Sequence, residues 1–181
     1  MEYTIRKARL EERPALEQLI ALSARALSRE DYSEAQIEGA VAKIFGVDTE
    51  LVADGTYLVV EHAGQAIACG GWSRRRTLFG GDRFAGREAG LLDPASEAAK
   101  IRAFFVHPDW ARRGVGRALL AACEAQARAA GFRTVELMAT LPGLKLYRAC
   151  GYVPAEQVSY ELDDISIPFV PMYKTLPEEG E

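Results

Sequence analysis

The sequence has few of the residues from which disulfide frameworks and metal sites are built. Three cysteines and two histidines occur in 181 residues, and no Cys-x-x-Cys spacing is present. We therefore expect Cys69, Cys123 and Cys150 to be reduced, mostly buried thiols, with a catalytic cysteine as the alternative. No metal site is expected.

Long apolar runs and a strong charge of one sign are also missing. No stretch approaches the roughly 18 apolar residues that a membrane-spanning helix needs, and the first residues do not form a basic and apolar leader. The net charge is −4, so no global field favours nucleic acid or an anionic membrane. We expect a cytoplasmic protein in which any anion site is a local concentration of arginines.

What the chain does contain is an ordinary globular composition. Hydrophobic residues make up 49% of it and charged residues 27%, which is far from the composition of disordered chains. A length of 181 residues fits one core, and neither a repeat nor a linker divides it. We predict a single domain over residues 1–181, in which residues 177–181 form an acidic tail that frays.

Residues 99–131 join a strand pattern, a glycine turn and a helix pattern. Ile101–Val106 is an apolar, β-branched and aromatic run that Pro108 stops, which predicts a strand. Residues 118–130 contain no proline or glycine, are rich in alanine and precede Gly131, which predicts a helix. Its buried face should carry Leu119, Leu120, Cys123 and Ala127.

The turn between them, Arg112-Arg113-Gly114-Val115-Gly116-Arg117, has the composition of an anion site. Glycines let the backbone approach a bound group, the first N–H groups of a helix lack intrahelical partners, and guanidinium groups suit phosphate. A simple tight turn with solvated arginines explains the same letters, so both interpretations stay open. A Walker loop and a dinucleotide fingerprint do not fit, because no lysine follows Gly116 and position 119 is leucine.

The combined strand, turn and helix resembles motif A of the GCN5-related N-acetyltransferase (GNAT) family. That motif is an apolar strand ending in Val-x-Pro, followed by Arg/Gln-x-x-Gly-x-Gly/Ala. Val106-His107-Pro108 and the segment from Arg112 to Ala118 match it. The resemblance implies an α/β fold of the GNAT acyl-CoA N-acyltransferase type, with a mixed, mostly antiparallel sheet of about six or seven strands flanked by helices.

In that family the turn holds the pyrophosphate of acetyl-coenzyme A (acetyl-CoA), and the preceding strand offers backbone groups to the pantetheine arm. The resemblance thus implies acetyl-CoA as a co-substrate and no metal. It also implies that the backbone N–H of Val106 polarises the thioester carbonyl. The implied cofactor contacts are Phe104, Phe105, Val106, Arg112, Arg113, Gly114, Val115, Gly116, Arg117, Ala118 and Tyr147.

A second segment, Leu146-Tyr147-Arg148-Ala149-Cys150-Gly151-Tyr152, resembles motif B of the family, Leu-Tyr-x-x-x-Gly-Phe/Tyr. The resemblance implies that Tyr147 is the general acid for the leaving thiolate, or that it packs against or orients the thiol. Thr140 stands where many members carry asparagine, and residues 99–102 lack the glutamate of many relatives. No general base is assigned. Glu61, His107, Glu161 and a water relay stay open.

Elements outside these motifs follow from periodicity. It predicts strands over Tyr3–Ala8, Thr56–Glu61, Gln65–Ser73, Arg133–Met138, Tyr152–Val153 and Ser166–Leu176, the last at a sheet edge because of its prolines. It predicts helices from Pro14 to Leu27, from Ser33 to Phe45 and over Leu144–Ala149. The resemblance implies that Glu30-Asp31-Tyr32, between the first two helices, contributes to an acceptor wall; a solvated turn is the alternative.

One long segment shows no period. Arg74-Arg75-Arg76 opens a glycine-containing loop over residues 75–98, and loops of this length are usually functional or disordered. The three arginines fit a solvated face, an acidic acceptor or a subunit contact.

Together the motifs predict an N-acetyltransferase that moves an acetyl group from acetyl-CoA to a primary amine by direct attack in a ternary complex. The acceptor, small-molecule or protein-borne, and the state, monomer or homodimer, are not fixed by the sequence. Two alternatives stay open. One is a non-catalytic acyl-CoA sensor, motivated by the missing carboxylate, and the other is an interaction protein with an empty site.

Overall fold

The computed structural model describes residues 2–178, which form one eight-stranded sheet with helices on both faces. The strands are β1 (Thr4–Lys7), β2 (Tyr57–His62), β3 (Gln65–Ser73), β4 (Ala99–Val106), β5 (Thr134–Ala139), β6 (Val153–Pro154), β7 (Val158–Leu162) and β8 (Ile165–Thr175). The helices are α1 (Arg13–Leu27), α2 (Glu34–Lys43), α3 (Thr49–Asp54), α4 (Val115–Ala129) and α5 (Leu144–Ala149). Short 3-10 turns precede α1, α4 and α5.

The sheet runs in the order β1-β2-β3-β4-β5-β8-β6, with β7 also paired to β8. Only β4 and β5 pair in parallel among these strands, and all the other pairs are antiparallel. This confirms the predicted mixed, mostly antiparallel sheet, with eight strands rather than six or seven. None of the helices in residues 2–178 combines the length and the apolar character needed to cross a membrane.

The two faces of the sheet are covered by different helices. Alternate β2 residues such as Leu58 and Val60 join the cluster that α4 covers, whereas Tyr57 and Val59 join the cluster under α1. The predicted buried face of α4 is confirmed, since Leu119, Leu120, Cys123 and Ala127 are all buried. A third cluster joins α2, β8 and the loop after β3.

Local capping chemistry fixes the helix ends. The Ser33 hydroxyl accepts the Gln36 N–H at 3.1 Å, and the Gln36 side chain accepts the Ser33 N–H at 2.8 Å, which confirms the predicted capping box. α4 begins at Val115, three residues before the predicted start. Glycine suits position 116 in its first turn, because a Cβ there would lie only 3.1 Å from the Leu146 side chain of α5.

The predicted position of the last strand is wrong. β8 lies inside the sheet, between β5 on one side and β6 with β7 on the other. Its prolines are accommodated because Pro171 uses its carbonyl to accept the Ala155 N–H at 2.8 Å beside the two-residue β6. Pro168 lies beyond the part of β8 that pairs with β5, and its carbonyl accepts the Tyr32 hydroxyl at 2.6 Å.

Several segments differ from the predicted elements or fall outside them. α3 and β7 were not predicted, and α3 is bounded by the Asp48 N-cap and by Gly55 in the left-handed conformation. Residues 74–98 form neither helix nor strand apart from one bridge between Arg75 and Leu91, as the lack of a period indicated. Residues 179–181 of the acidic tail lie outside the described residues, so the expected fraying stays a prediction.

Candidate functional site

A cleft opens where β4 and β5 separate. The two strands pair only at Ala99 with Val135 and at Lys100 with Glu136. Beyond this point β4 continues with β3, and β5 continues with β8. The N–H and C=O groups that would otherwise form hydrogen bonds between β4 and β5 therefore face each other across a gap.

A β-bulge in β4 shapes one edge of this cleft. Ala103 has a φ of +48°, and the register between β3 and β4 shifts between Cys69 and Gly71. The Tyr57 hydroxyl donates to the Ala103 carbonyl at 2.9 Å and holds the bulge in place. Gly70 is required opposite it, since a Cβ there would lie 2.5 Å from the Phe104 ring. Bulges re-aim the residues that follow them, here the end of β4.

The bulge is followed by Val106, whose backbone N–H is the expected donor to the thioester carbonyl. The His107 N–H donates to the Ile67 carbonyl of β3 at 2.8 Å. Because successive peptide groups of a strand point to opposite sides, the N–H of Val106 points away from β3 and into the cleft. Phe104 and Val106 contact the core under α4, whereas the Phe105 ring packs on Phe45 on the opposite face at 5.2 Å.

The turn that follows β4 leaves the start of α4 uncapped. Its N-cap, Gly114, has a φ of +84° and provides no side-chain cap. The first bond of the helix runs from the Ala118 N–H to the Gly114 carbonyl at 3.0 Å. The N–H groups of residues 115–117 therefore have no partner inside the helix and point out of its N-terminus, at its positive end.

The space in front of this turn is open. A Cβ built on Gly114 would meet no atom of residues 2–178 within 4 Å, whereas one on Gly116 would lie 3.1 Å from Leu146. Arg112 and Arg117 are exposed beside the turn, and the Arg113 guanidinium lies 5.6 Å from the Trp110 ring. Uncovered amides, arginines and an unfilled approach fit a diphosphate group.

Tyr147 lies on α5 at the other wall of the cleft. Its ring packs against Phe104 at 6.2 Å and Tyr152 at 5.8 Å. Burial raises the pKa of Tyr147 well above its usual value, with smaller contributions from the Cys123 and Cys150 thiols. The phenol is therefore protonated throughout the neutral range. Among residues 2–178 its hydroxyl has no hydrogen-bond partner. The ring lines a cavity within the cleft.

A cavity of about 60 Å³ occupies the cleft. Phe104, Leu137 and Tyr147 line it from the core under α4, and Thr140 adds a hydroxyl. Ile101 also belongs to the core under α4. The remaining lining residues are Ile44, Phe45, Gly46, Phe79, Gly80, Gly81, Arg102, Ala103, Phe105, Met138 and Phe169. The cavity thus has lining residues from both faces of the sheet, whereas Val106 and the glycine turn over residues 112–118 are not part of its lining.

Arg102 stands near the position where many family members carry a carboxylate. Its side chain is fully buried and pairs with the equally buried Asp48 at 2.7 Å. It also donates to the carbonyls of Thr77 at 3.1 Å and Gly80 at 2.5 Å. Arg102 therefore holds the start of the 74–98 loop against β4. A charged residue inside an apolar strand run is the sequence signal that could have identified it.

The candidate bases do not reach the cavity in the described part of the chain. Glu61 accepts from Arg6 at 2.5 Å, Glu161 accepts from the Ser166 hydroxyl at 2.7 Å, and His107 Nδ1 accepts the Asp109 N–H at 3.1 Å. Each carboxylate or ring is engaged in local structure, and none lines the cavity. The geometry gives no reason to assign a base.

The other candidate groups also have structural partners. Arg75 makes two bonds of 2.8 Å to Asp54, Arg76 pairs with Glu97 at 2.5 Å, and Arg74 lies over the Trp72 ring. These contacts explain the triple arginine without an acidic acceptor. The Tyr32 hydroxyl bridges β8 to the turn after β5, whereas Glu30 and Asp31 are exposed.

The three cysteines are free thiols. Cys69 and Cys123 are buried and Cys150 is partly buried, as expected for packing residues. Burial raises the pKa of all three thiols, that of Cys69 to about 12. They are therefore protonated at neutral pH, which disfavours a nucleophilic role.

Comparison with known proteins agrees with the geometry. The sequence profile of the Acetyltransferase (GNAT) family matches residues 17–152. Aminoglycoside N(6')-acetyltransferase type 1 of Stenotrophomonas maltophilia is 36% identical over 69 residues, a match that spans 36% of this chain and 45% of that enzyme. The chain thus matches less than half the length of that relative.

Solved structures extend the likeness to the whole fold. A GCN5-related N-acetyltransferase from Rhodopseudomonas palustris has a TM-score of 0.72 at 21% identity, over 97% of both chains. The PaiA N-acetyltransferase of Thermoplasma acidophilum, in complex with coenzyme A, has a TM-score of 0.64 at 15% identity, over 97% of this chain and 100% of that one. Since the family profile covers more than half of the sequence, this chain belongs to the Acetyltransferase (GNAT) family.

Proposed function

We propose that this protein is an N-acetyltransferase that moves an acetyl group from acetyl-CoA to a primary amine in a ternary complex. The observation that carries the proposal is the uncapped start of α4 beside the opened edge of β4. The proposal keeps the expected cytoplasmic location and a monomeric or homodimeric state. Its partners are acetyl-CoA and the amine, without nucleic acid or membrane.

The glycine turn is the proposed diphosphate site. The N–H groups of Val115, Gly116 and Arg117 donate to phosphate oxygens, and Gly114 leaves the approach free of a side chain. Arg112, Arg113 and Ala118 complete the turn. The backbone of Phe104, Phe105 and Val106 guides the pantetheine arm, although the Phe105 ring itself faces the other side of the sheet.

Two groups of the chain assist the reaction. Acetyl-CoA supplies an activated acyl group as a thioester. The Val106 N–H donates to its carbonyl oxygen and stabilises the charge that develops there. The amine nitrogen forms the new bond to the carbonyl carbon, the C–S bond breaks, and the electron pair leaves with sulfur. Tyr147 donates its proton to the leaving thiolate, and the proton that nitrogen loses passes to solvent, from which the phenol is reprotonated.

The test is a panel of primary amines incubated with acetyl-CoA, with free thiol and N-acetyl product measured together. The proposal predicts equal amounts of thiol and acetylated amine for at least one amine. Tight binding of acetyl-CoA with no thiol release from any amine would contradict it and would favour a sensor. Absence of acetyl-CoA binding would favour an interaction protein with an empty site.

A further inference from the structure

The cavity ends in an aromatic wall on the face of the sheet opposite α4. Phe45, Phe79, Phe105 and Phe169 supply this wall. The ring centroid of Phe45 lies 5.2 Å from that of Phe105 and 6.5 Å from that of Phe169, and Phe79 lies 5.6 Å from Phe169. The four rings therefore form one continuous apolar surface, which we call the phenylalanine wall.

The cavity has no negative charge to receive a cation. Its lining, drawn from residues 2–178, contains no carboxylate, and its charged member is Arg102. The guanidinium of Arg102 is already compensated by Asp48 at 2.7 Å. An ammonium group buried here would lose its hydration without gaining a carboxylate partner, and such desolvation is costly.

The rings do not form an aromatic cage for a cation either. A cage needs ring faces turned toward the bound charge. In the phenylalanine wall Phe45 packs edge to face on Phe105 and on Phe169, with interplanar angles of 65° and 73°, and Phe79 is tilted by 49° to Phe169. The wall thus offers apolar contact more than cation recognition.

The same wall accounts for a reaction without a carboxylate base. An amine attacks a thioester only in its neutral form. Desolvation in an apolar site disfavours the ammonium form and lowers the pKa of the amine. An acceptor that enters this cavity therefore reaches the nucleophilic form through burial, and Glu61, His107 and Glu161 are not needed at the reacting nitrogen.

The size of the cavity limits what enters it. One buried water needs roughly 10–15 Å³, so a cavity of about 60 Å³ admits a group of a few heavy atoms. The amine-bearing end of the acceptor fits this space. Its body then lies outside the cavity against the partly exposed rings of the lining, among which are Phe79 and Phe45.

We infer that the acceptor is a primary amine carried on an apolar, aromatic body, and that the phenylalanine wall selects it over polycationic amines. This inference rests on the proposed acetyl transfer. It departs from the chemistry in the name of the Stenotrophomonas relative, whose match spans only 69 residues. An aminoglycoside carries several ammonium groups, and the lining offers none of them a carboxylate.

The test compares phenethylamine with spermidine and kanamycin at saturating acetyl-CoA and pH 8, with thiol release and acetylated product as the readouts. We expect kcat/KM for phenethylamine to exceed that for either polycation at least tenfold. Faster turnover of spermidine or kanamycin would overturn the inference and leave the proposed acetyl transfer intact. No thiol release with any amine, despite acetyl-CoA binding, would overturn both.

Variants of Phe79 test whether the phenylalanine wall selects the acceptor amine. Phe79→Leu should raise KM for phenethylamine at least tenfold and leave the Kd of coenzyme A unchanged. Phe132→Leu is the matched control, because Phe132 is a buried aromatic that packs on Trp72 away from the cavity. Phe79→Glu should shift the preference toward spermidine at least tenfold by adding the missing carboxylate. Unchanged KM in Phe79→Leu together with unchanged preference in Phe79→Glu would overturn the assignment.

Discussion

Gly114 and Gly64 have nearly the same backbone conformation in very different surroundings. Their φ angles are +84° and +78°, and at neither position would a Cβ meet an atom of residues 2–178 within 4 Å. Gly114 is the N-cap of α4 at the proposed diphosphate site, whereas Gly64 closes the hairpin between β2 and β3. Substitutions at these two glycines therefore distinguish the effect of backbone strain from the effect of blocking a ligand.

The first prediction uses this pair. Gly114→Val should raise the Kd of coenzyme A at least tenfold, because a branched side chain both strains the left-handed backbone and fills the approach to the amides. Gly64→Val should leave that Kd unchanged. Both variants should lower the free energy of unfolding by about 1–2 kcal/mol, because both place a side chain on a left-handed backbone. Calorimetric titration and urea unfolding measure both quantities. Equal Kd values of coenzyme A for the two variants would show that this turn does not bind the diphosphate.

Tyr147 and Tyr152 form a second matched pair, since both are buried tyrosines with rings in contact. The Tyr152 hydroxyl donates to Glu124 at 2.9 Å, while Tyr147 lines the cavity. Tyr147→Phe should lower kcat about 100-fold and leave the affinity for coenzyme A within several-fold. Tyr152→Phe should leave kcat within several-fold. Equal kcat in Tyr147→Phe and the native protein would exclude proton donation.

The pH dependence follows from the same residue. A proton donor must be protonated, and burial raises the pKa of Tyr147 above its usual value of about 10. The donating form is therefore present at all lower pH values. We expect no falling limb of kcat due to Tyr147 between pH 7 and roughly pH 10. A fall centred near pH 8 that disappears in Tyr147→Phe would contradict the raised pKa.

At the scale of elements, Arg102 is one anchor of the 74–98 loop, because its guanidinium donates to the Thr77 and Gly80 carbonyls and forms a buried ion pair with Asp48. Removing one partner of a buried ion pair costs about 3–5 kcal/mol when the other charge is left uncompensated. Asp48 keeps the Arg87 guanidinium at 3.1 Å, so the loss expected here is about 2–3 kcal/mol. Arg102→Met should thus lower the free energy of unfolding by about that amount and speed proteolytic cleavage within residues 74–98. Arg25→Met is the control, because the Arg25–Glu38 pair is equally short at 2.7 Å but exposed. Such pairs contribute at most about 1 kcal/mol. Similar losses in both variants would contradict the anchoring role.

The edge formed by β1, β2 and the first 3-10 turn should respond to acid. A hydrogen bond from Arg6 is the main reason that the pKa of Glu12 is lowered to about 2. Its stabilisation is complete above the ordinary pKa of 4.5 and is lost as the pH falls toward 2. Glu12→Gln should cost roughly 1–3 kcal/mol at pH 7 and nothing near pH 2. Exposed Glu11→Gln should cost nothing at either pH in urea unfolding, and a Glu12 effect independent of pH would contradict the assignment.

Elements with local signals could be predicted from the sequence. The capping box of Ser33, the turn at Ala63-Gly64 and the stop at Gly151 depend on residues near in sequence, and all three lie where their patterns place them. The position of β8 could not be predicted. It depends on pairing with β5, which lies more than 20 residues away in sequence, and the prolines of β8 gave an opposite local indication.

At the scale of the whole molecule, the site exists because two packed clusters meet where the sheet opens. The glycine turn and Tyr147 were readable as motifs, since their residues are contiguous. The phenylalanine wall was not, because Phe45, Phe79, Phe105 and Phe169 come from four separate segments. The cleft itself depends on long-range pairing of β4 with β3 and of β5 with β8. No local pattern contains that information.

Diphosphate binding at the start of α4 is tested by following the backbone amides of this turn by nuclear magnetic resonance. Native protein labelled with ¹⁵N is titrated with coenzyme A and, separately, with pantetheine, which lacks the diphosphate. We expect coenzyme A to shift the N–H signals of Val115, Gly116 and Arg117 strongly and pantetheine to leave them in place. Unshifted signals for these three amides at saturating coenzyme A, with shifts confined to another part of the chain, would contradict diphosphate binding at this turn.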